Sequence, residues 1–269
     1  MTKQQVIRFL RRSHFLTTAE RLRFIVNVVA NIRANRRFAL KHPGLQFPPL
    51  WLAYDAYSSC DREWYWKSGN AAADAILGYV PSAAREEKFS VLEWGCGSGR
   101  ILRQLRSRLP QDRVTLCGSD YNAKTISWCR KSLAGIEFAG NGLNPPLSYR
   151  TGQFDLVYSV SVYTHLPEGL FRPWLVELFR VVKIGGIVLI TLNGERFLGY
   201  LSTEEKDSYE RTGFASRGSV YFGSRLYNAY HRRDYVERAC ADLGRIISVD
   251  CTPTLNLAGG QDVYLLKKG

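Results

Sequence analysis

Over the central part of the chain, short apolar runs alternate with stretches whose apolar residues recur at helical spacing. The apolar runs predict strands over residues 90–94, 114–118, 136–138, 154–159 and 187–192. The stretches between them predict helices over residues 100–109, 123–133 and 169–182, the last one stopped by the pair Gly185-Gly186. Strands separated by helices predict βαβ units, and hence an α/β protein with a Rossmann-like, mostly parallel sheet.

The two ends of the chain depart from this alternation. Near the carboxyl end, a helix over residues 233–243 precedes two apolar runs, 246–252 and 263–267, which can pair as an antiparallel hairpin. We expect three segments: a basic helical extension over 1–44, an aromatic-rich lid and lead-in helix over 45–89, and the sheet domain over 90–269. Residues 194–230 would form a cap inserted into that domain.

The net charge of +13 is concentrated at the amino end, where residues 1–42 hold ten Lys and Arg against one Glu. Thr17 and Glu20 have the spacing of a capping box, which predicts a helix from about Thr18. An amphipathic apolar stripe follows at Leu22, Ile25, Val26, Val29 and Ile32. Arginines interrupt this segment, so its uninterrupted apolar run is too short to cross a bilayer. Two interpretations stay open: a helix lying on an anionic membrane surface, or one packed on its own domain or a partner.

The cysteines and histidines argue against metal chemistry. The six cysteines form no CxxC pair and no Cys/His cluster, and the chain has only four histidines. This pattern fits neither structural zinc nor a disulfide scaffold, and we expect no metal site. A reduced, cytoplasmic compartment is the simplest expectation, with a possible peripheral location on the inner membrane face.

The turn after the first predicted strand indicates a cofactor site. Its sequence is Gly95-Cys96-Gly97-Ser98-Gly99-Arg100, and its spacing fits neither a dinucleotide fingerprint nor a P-loop. Glu93, two residues before the glycines, would repel a pyrophosphate but suits a cofactor that carries an ammonium group. Asp120 ends the second strand, where a carboxylate can accept hydrogen bonds from both hydroxyls of a ribose. S-adenosylmethionine has an ammonium and a ribose and no phosphate.

Three motifs in order, VLEWGCGSGR, LCGSDYN and FDLVYSVSVYTHL, resemble the class I S-adenosylmethionine-dependent methyltransferases. The resemblance covers about residues 65–192, and it implies S-adenosylmethionine as cofactor and S-adenosylhomocysteine as product. Glu93 would orient the methionine amino group, and the backbone of Gly95, Cys96 and Gly97 would approach the ligand. Residues at the following strand ends would have further roles. Asp120 would bind the ribose, and Ser159 would lie beneath the transferred methyl. The adenine would be contacted by Tyr121, Asn141 and Gly142.

The methyl acceptor is less sharply indicated. His165, just past the fourth strand, is the first candidate for a general base, and His231 is the second. The segment NPPL at 144–147 resembles the clamp of amino-methyltransferases, but it precedes the fourth strand and lacks the terminal aromatic residue, so we interpret it as a turn. Aromatic residues predict the substrate pocket: Tyr54, Tyr57, Trp64, Tyr65, Tyr163 and Tyr221.

The sequence therefore predicts a methyltransferase acting on a small molecule or glycan, with O-methylation of a sugar-type acceptor favoured. A natural-product N- or O-methyltransferase is the alternative within the same class. An RNA methyltransferase that uses residues 1–42 as a phosphate-binding arm is disfavoured, as is nucleic acid as a partner in general. The sequence carries no signal for the oligomeric state.

Overall fold

The computed structural model describes residues 15–79, 88–218, 226–251 and 257–269, with side chains from Thr18 onward. The chain divides into two compact units, Met1–Lys67 and Ser68–Gly269. Within the described residues, no helix is long and apolar enough to cross a membrane.

The first unit is helical. Helix α1 spans Phe15–Lys41, α2 spans Leu50–Tyr57, and α3, spanning Arg62–Leu77, begins in this unit. The described part of α1 begins at Phe15, so Thr17 lies inside the helix, and the capping box predicted from Thr17 and Glu20 is wrong. Phe15 and Leu16 carry no turn-forming side chain, so nothing in the local sequence stops the helix before Thr17.

The second unit is built on a seven-stranded sheet with the order β3-β2-β1-β4-β5-β9-β8. The strands are β1 Phe89–Trp94, β2 Val114–Asp120, β3 Glu137–Gly140, β4 Phe154–Ser159, β5 Val182–Leu192, β8 Gly244–Asp250 and β9 Asp262–Lys268. Strands β1 to β5 pair in parallel, and β9 pairs antiparallel to both β5 and β8. The predicted Rossmann-like fold is confirmed, with β9, the last strand of the chain, as the antiparallel one.

Helices cover both faces of this sheet. They are α4 Leu102–Arg106, α5 Ala123–Ser132, α6 Glu168–Val181 and α8 Arg233–Cys240. One core cluster joins the sheet to α6 and α8, and Trp94 stacks on Trp174 there with ring centroids 4.3 Å apart. A second cluster, around Leu102, Ile126 and Ile76, fills the opposite face. This two-sided burial leaves the carboxyl ends of the parallel strands as the edge where a ligand can approach.

The described residues of the segment predicted as a cap, 194–218 and 226–230, contain several short elements of their own. These elements are a 3-10 helix at Glu195–Tyr200, α7 at Thr203–Thr212 and the antiparallel strands β6 Phe214–Arg217 and β7 Asn228–His231. A capping box on Ser202 and Glu205 starts α7, and Gly213 in the left-handed conformation ends it. Four aromatic residues of the cap are buried in its own small cores: Tyr209, Phe214, Tyr227 and Tyr230.

Two local predictions are wrong. Helix α6 ends at Val181, and β5 begins at once at Val182 and runs through Gly185-Gly186, which therefore do not cap the helix. A Cβ on Gly186 would lie 2.9 Å from the Asp155 carbonyl oxygen, so the glycine lets two strands approach closely. The helix predicted over 100–109 is only the five residues of α4.

Candidate active site

The turn that follows β1 is held in a conformation that depends on glycine. Gly95, Gly97 and Gly99 all have positive φ, at 76°, 50° and 68°. The backbone N–H groups of Gly95 and Cys96 both donate to the Ser119 carbonyl oxygen, at 2.7 and 3.0 Å. The turn therefore lies against the carboxyl end of β2.

Asp120, the last residue of β2, is tied to the same turn. Its Oδ2 accepts a hydrogen bond from the Gly97 N–H at 2.9 Å, and its Oδ1 accepts one from the Asn122 N–H at 2.8 Å. The side chain is largely buried, with 8% of its surface exposed. A buried carboxylate at the carboxyl end of β2 fits a group that binds a ribose diol.

Glu93 lies on β1, opposite Tyr158 of the neighbouring strand β4. The phenol of Tyr158 on β4 donates to Glu93 Oε2 at 2.9 Å. Burial raises the pKa of Glu93 to about 8, although the Tyr158 hydrogen bond and the nearby Arg100 oppose that shift. A buried carboxyl of this kind gains stability when a cation arrives, which suits the ammonium of a methionine group.

The side chains predicted around adenine lie at the ends of β2 and β3. Tyr121 is partly exposed, directly after Asp120. The Asn141 N–H donates to the Asp120 carbonyl oxygen at 3.1 Å, and Asn141 Oδ1 accepts from the Ser119 hydroxyl at 2.6 Å. That amide oxygen keeps a second lone pair, and exposed Gly142 follows it. These positions are adjacent, as the sequence predicts.

Ser159 ends β4, the strand beside β1. Its Oγ is buried and has no hydrogen-bond partner among the residues that the structure describes. An orphaned buried hydroxyl is uncommon in a folded protein. Its place at the carboxyl end of β4 is the one that the resemblance assigns to the region beneath the transferred methyl.

These residues fit S-adenosylmethionine. The edge of the sheet offers a buried carboxyl at Glu93, a carboxylate at Asp120 and a glycine turn between them, with the orphaned Ser159 hydroxyl one strand away. The donor set suits an ammonium and a ribose diol. Over the described ranges, no group of His, Cys, Asp and Glu has a metal-binding arrangement.

His165 ends the 3-10 helix Tyr163–His165, which follows β4. Its Nδ1 lies 2.7 Å from the Tyr227 carbonyl oxygen, at the edge of the cap. A carbonyl can only accept, so Nδ1 carries the proton and, in the neutral ring, Nε2 carries the lone pair. The half-buried imidazole is thus held in the tautomer that a general base needs, with Nε2 as the accepting atom.

His231 does not fit the second base role. Its ring is 1% exposed and lies among Phe171, Phe214 and Tyr235, with centroid distances of 4.8 to 5.9 Å. Neither ring nitrogen has a hydrogen-bond partner among the described residues. Burial lowers the pKa of His231 to about 3, so the imidazole stays neutral at physiological pH. The prediction of His231 as a base is therefore corrected to a core residue.

The aromatic residues predicted for the substrate pocket fall into three groups. Tyr163 is fully buried between Trp94 and Phe171, so its assignment to the pocket is wrong. Tyr221 lies outside the described residues. The other four belong to the first unit, where they pack on one another and on Phe24 and Phe47, and their role as a lid stays a prediction: Tyr54, Tyr57, Trp64 and Tyr65.

A polar network beside His165 was not visible in the sequence. Ser161 has a left-handed φ of 60°, and its N–H donates to Thr191 Oγ1 at 2.8 Å. The hydroxyls of Ser161 and Thr191 both donate to Gln261 Oε1, at 2.9 and 2.8 Å. Gln261 also donates to Asn193 Oδ1 at 3.1 Å, and Asn193 donates to the cap. The network fixes the loop after β4 against β5.

Comparisons with known proteins agree with this geometry. A family model described as a methyltransferase domain matches residues 91–186, which span the turn, Asp120, Ser159 and His165. Among solved structures, an S-adenosylmethionine-dependent methyltransferase from Methanosarcina mazei has 19% identity over 72% of this chain and 96% of that one, with a TM-score of 0.53. A Pyrococcus horikoshii protein has 15% identity over 74% and 88% of the two chains, with a TM-score of 0.54.

A third similar structure carries a ligand of the expected kind. It is the geranyl diphosphate C-methyltransferase of Streptomyces coelicolor, solved with Mg²⁺, geranyl diphosphate and S-adenosylhomocysteine. The identity is 14% over 73% of this chain and 78% of that one, and the TM-score is 0.51. At such identities the likeness shows the shared fold, while the family match adds the domain type. The chain therefore contains a methyltransferase domain, matched over residues 91–186, and has the Rossmann-like class I fold.

Proposed function

We propose that this methyltransferase transfers a methyl group to a hydroxyl of a small molecule or glycan, with a sugar-type acceptor favoured. The observation that carries the proposal is the hydrogen bond from His165 Nδ1 to the Tyr227 carbonyl. A hydroxyl is a poor nucleophile until its proton is removed, and a histidine with its lone pair on Nε2 is suited to that step.

The chemistry assigns distinct tasks to the residues of the site. When bound, S-adenosylmethionine supplies a methyl group that its sulfonium already activates. Glu93 holds the amino group, Asp120 holds the ribose, and the backbone of the glycine turn fixes the ligand between them. His165 Nε2 would take the acceptor's proton, which would end on the imidazole, while the methyl group would pass from sulfur to the acceptor oxygen and S-adenosylhomocysteine would leave. Alignment of the two reacting groups supplies the rest of the rate enhancement.

The cap contacts the proposed base. Tyr227 belongs to the cap and positions His165, so the elements that bury Tyr227 also set the geometry of the proposed base. Hydroxyl-bearing aromatic residues of the kind found in the cap bind sugar rings through apolar contact and hydrogen bonds. The half-exposed Tyr200 is one such residue at the cap surface.

A natural-product N- or O-methyltransferase is the second candidate, and one comparison supports a small-molecule acceptor. The Streptomyces coelicolor enzyme with the same fold acts on geranyl diphosphate, which is a small-molecule substrate. An amine acceptor that is already unprotonated needs no base, so N-methylation, unlike O-methylation, does not require His165. A nucleic-acid acceptor remains the least favoured candidate.

The test is transfer of a labelled methyl group from S-adenosylmethionine to matched acceptors. Each pair would share a skeleton and differ in one group, a hydroxyl in one member and an amine in the other, with sugars and phenols among the skeletons. The proposal predicts product only from hydroxyl members, and the mass shift of the product identifies the methylated atom. Product from the amines alone would replace the proposal with the natural-product N-methyltransferase.

A further inference from the structure

Helix α1 buries a polar face. Asn27 Oδ1 accepts from the Cys60 N–H at 2.7 Å, Asn35 Nδ2 donates to the Cys60 carbonyl at 2.8 Å, and Asn35 Oδ1 accepts from the Arg62 N–H at 2.9 Å. Phe24 and Phe38 lie on the same face, since they are spaced from Asn27 and Asn35 by three residues. Phe24 contacts Tyr54 with ring centroids 5.3 Å apart, and Phe38 is buried. This polar face fixes α1 on the loop and helices of its own unit.

The opposite face of α1 is aliphatic and exposed. Five side chains at helical spacing are each more than half exposed: Leu22, Ile25, Val26, Val29 and Ile32. We call these five the aliphatic stripe. A helix that packs only on its own domain turns its aliphatic side chains inward and its amides outward, and α1 does the reverse. Exposed apolar surface of this extent and regularity marks an interaction site.

The aliphatic stripe continues into basic side chains. Arg33 and Arg36 follow Val29 by four and seven residues, which places them on the same face, and both are exposed. Arg21, Arg23 and Arg37 flank the stripe and are exposed as well. The helix has six basic residues and one acid, Glu20, which pairs with Arg23 at 2.7 Å. The surface is thus an apolar band bordered by positive charge.

From this arrangement we infer that α1 is a membrane-surface helix, whose aliphatic stripe enters the acyl boundary of an anionic lipid leaflet while its arginines bind the phosphates. This is the composition that interfacial helices use, since the apolar face supplies burial and the basic residues supply attraction to acidic lipids. The inference concerns where the enzyme works and is independent of which atom it methylates.

Charge and apolar complementarity favour an anionic lipid leaflet over a second copy of α1 and over a nucleic acid. A second copy of α1 would bring two strongly basic helices together, so their like charges would oppose pairing. A nucleic acid would satisfy the arginines through its phosphates, but it would leave five aliphatic side chains in water. An anionic leaflet satisfies both parts of the surface at once.

The experiment is co-sedimentation of the full chain with vesicles of phosphatidylcholine alone and of phosphatidylcholine mixed with phosphatidylglycerol. Wild type should bind the mixed vesicles and bind pure phosphatidylcholine far more weakly. The double variant Val26→Gln/Val29→Gln should bind the mixed vesicles about tenfold or more weakly, because it removes apolar burial. Arg33→Gln/Arg36→Gln should lose a similar factor, because it removes two phosphate contacts.

Matched controls come from the second unit. Ile184 is 81% exposed and Arg150 and Arg245 are exposed, so Ile184→Gln and Arg150→Gln/Arg245→Gln change the same residue types elsewhere. Both should bind like wild type. Because all substituted side chains point into solvent, thermal unfolding should be unchanged, and lost binding cannot be attributed to misfolding.

Four outcomes would overturn the inference. The first is failure of wild type to bind the mixed vesicles, and the second is binding that Val26→Gln/Val29→Gln leaves intact. The third is a dimer in analytical ultracentrifugation that the same variant dissociates, which would assign the stripe to a second copy. Salt-sensitive RNA binding that depends on Arg33 and Arg36, but not on Val26 and Val29, would assign the helix to nucleic acid.

Discussion

The phenol of Tyr158 on β4 donates a hydrogen bond to Glu93 Oε2 on the adjacent strand β1, at 2.9 Å. Both side chains are buried, and burial raises the pKa of Glu93 to about 8. The carboxyl therefore binds a proton at neutral pH until a cation takes the proton's place. Binding of an ammonium at Glu93 should accordingly release a proton.

The first prediction concerns Glu93 and the stability of the protein without ligand. A carboxyl whose pKa is raised on folding from 4.5 to about 8 favours the folded state at low pH, and this contribution is lost as pH rises through that window. Glu93→Gln should therefore gain free energy of unfolding relative to wild type as pH rises from about 5 to 8. Denaturant unfolding at several pH values measures the difference, with exposed Glu168→Gln as the control. A difference that does not change with pH would contradict the assignment.

The second prediction concerns His231, whose pKa changes in the opposite direction. Folding lowers the pKa of His231 from 6.5 to about 3, so the folded state disfavours its protonated form. Wild type should lose stability as pH falls from 6.5 towards 3, because the unfolded chain binds the proton more readily. His231→Leu should remove that part of the acid sensitivity and retain methyl transfer. Exposed His42→Leu is the control, and loss of turnover in well-folded His231→Leu would return His231 to the site.

The third prediction tests the glycine turn. A Cβ on Gly95 would lie 2.1 Å from Val162 Cγ2, and Gly95 also has a φ of 76°. Gly95→Ala should therefore cost about 3 kcal/mol or more of unfolding free energy. Gly152 has a φ of 65° and nothing within 4 Å of its Cβ position, so Gly152→Ala measures the backbone strain alone.

Rescue separates the clash from the strain. Gly95→Ala/Val162→Ala removes the closest contact and should recover part of the stability that Gly95→Ala loses. If Gly95→Ala costs no more than Gly152→Ala, Val162 does not constrain the turn. If the double variant recovers nothing, the cost comes from the backbone of the turn.

The cofactor side of the site followed from the sequence because its parts are local. Glu93, the glycine turn and Asp120 end consecutive parallel strands, and parallel strands bring such ends together whatever the rest of the fold does. Tyr158 was missed although it lies in a recognised motif. Its hydroxyl reaches Glu93 only because β4 pairs with β1 in a register that the sequence does not state.

The acceptor side could not be predicted in the same way. His165 is held by a backbone carbonyl of Tyr227, 62 residues away, and a carbonyl carries no side-chain signal. Tyr163 and His231 have the residue types of a site, but core packing decides their burial. The helical spacing of the aliphatic stripe could be recognised in the sequence. The sequence did not show that the opposite face is the buried one, because Asn27 and Asn35 bind backbone groups around Cys60.

The fourth prediction concerns His165 in the transfer step. His165→Asn keeps a hydrogen-bonding side chain but cannot take a proton, so kcat with an alcohol acceptor should fall about 100-fold or more with little change in KM. With a more acidic hydroxyl, such as a phenol, kcat should fall less, because that hydroxyl loses its proton more readily without a base. His42→Asn is the control, and equal losses on both acceptors would indicate a structural role for His165.

The most direct test of the account is calorimetric binding of S-adenosylmethionine and S-adenosylhomocysteine to wild type and to Asp120→Ala. We predict micromolar binding of both ligands to wild type, and a loss of tenfold or more in Asp120→Ala, which corresponds to about 1.4 kcal/mol. Circular dichroism would establish that the variant is folded, since Asp120 also accepts from the Gly97 N–H. Undiminished binding by folded Asp120→Ala, or no binding by wild type, would contradict the site described at the ends of β1 and β2.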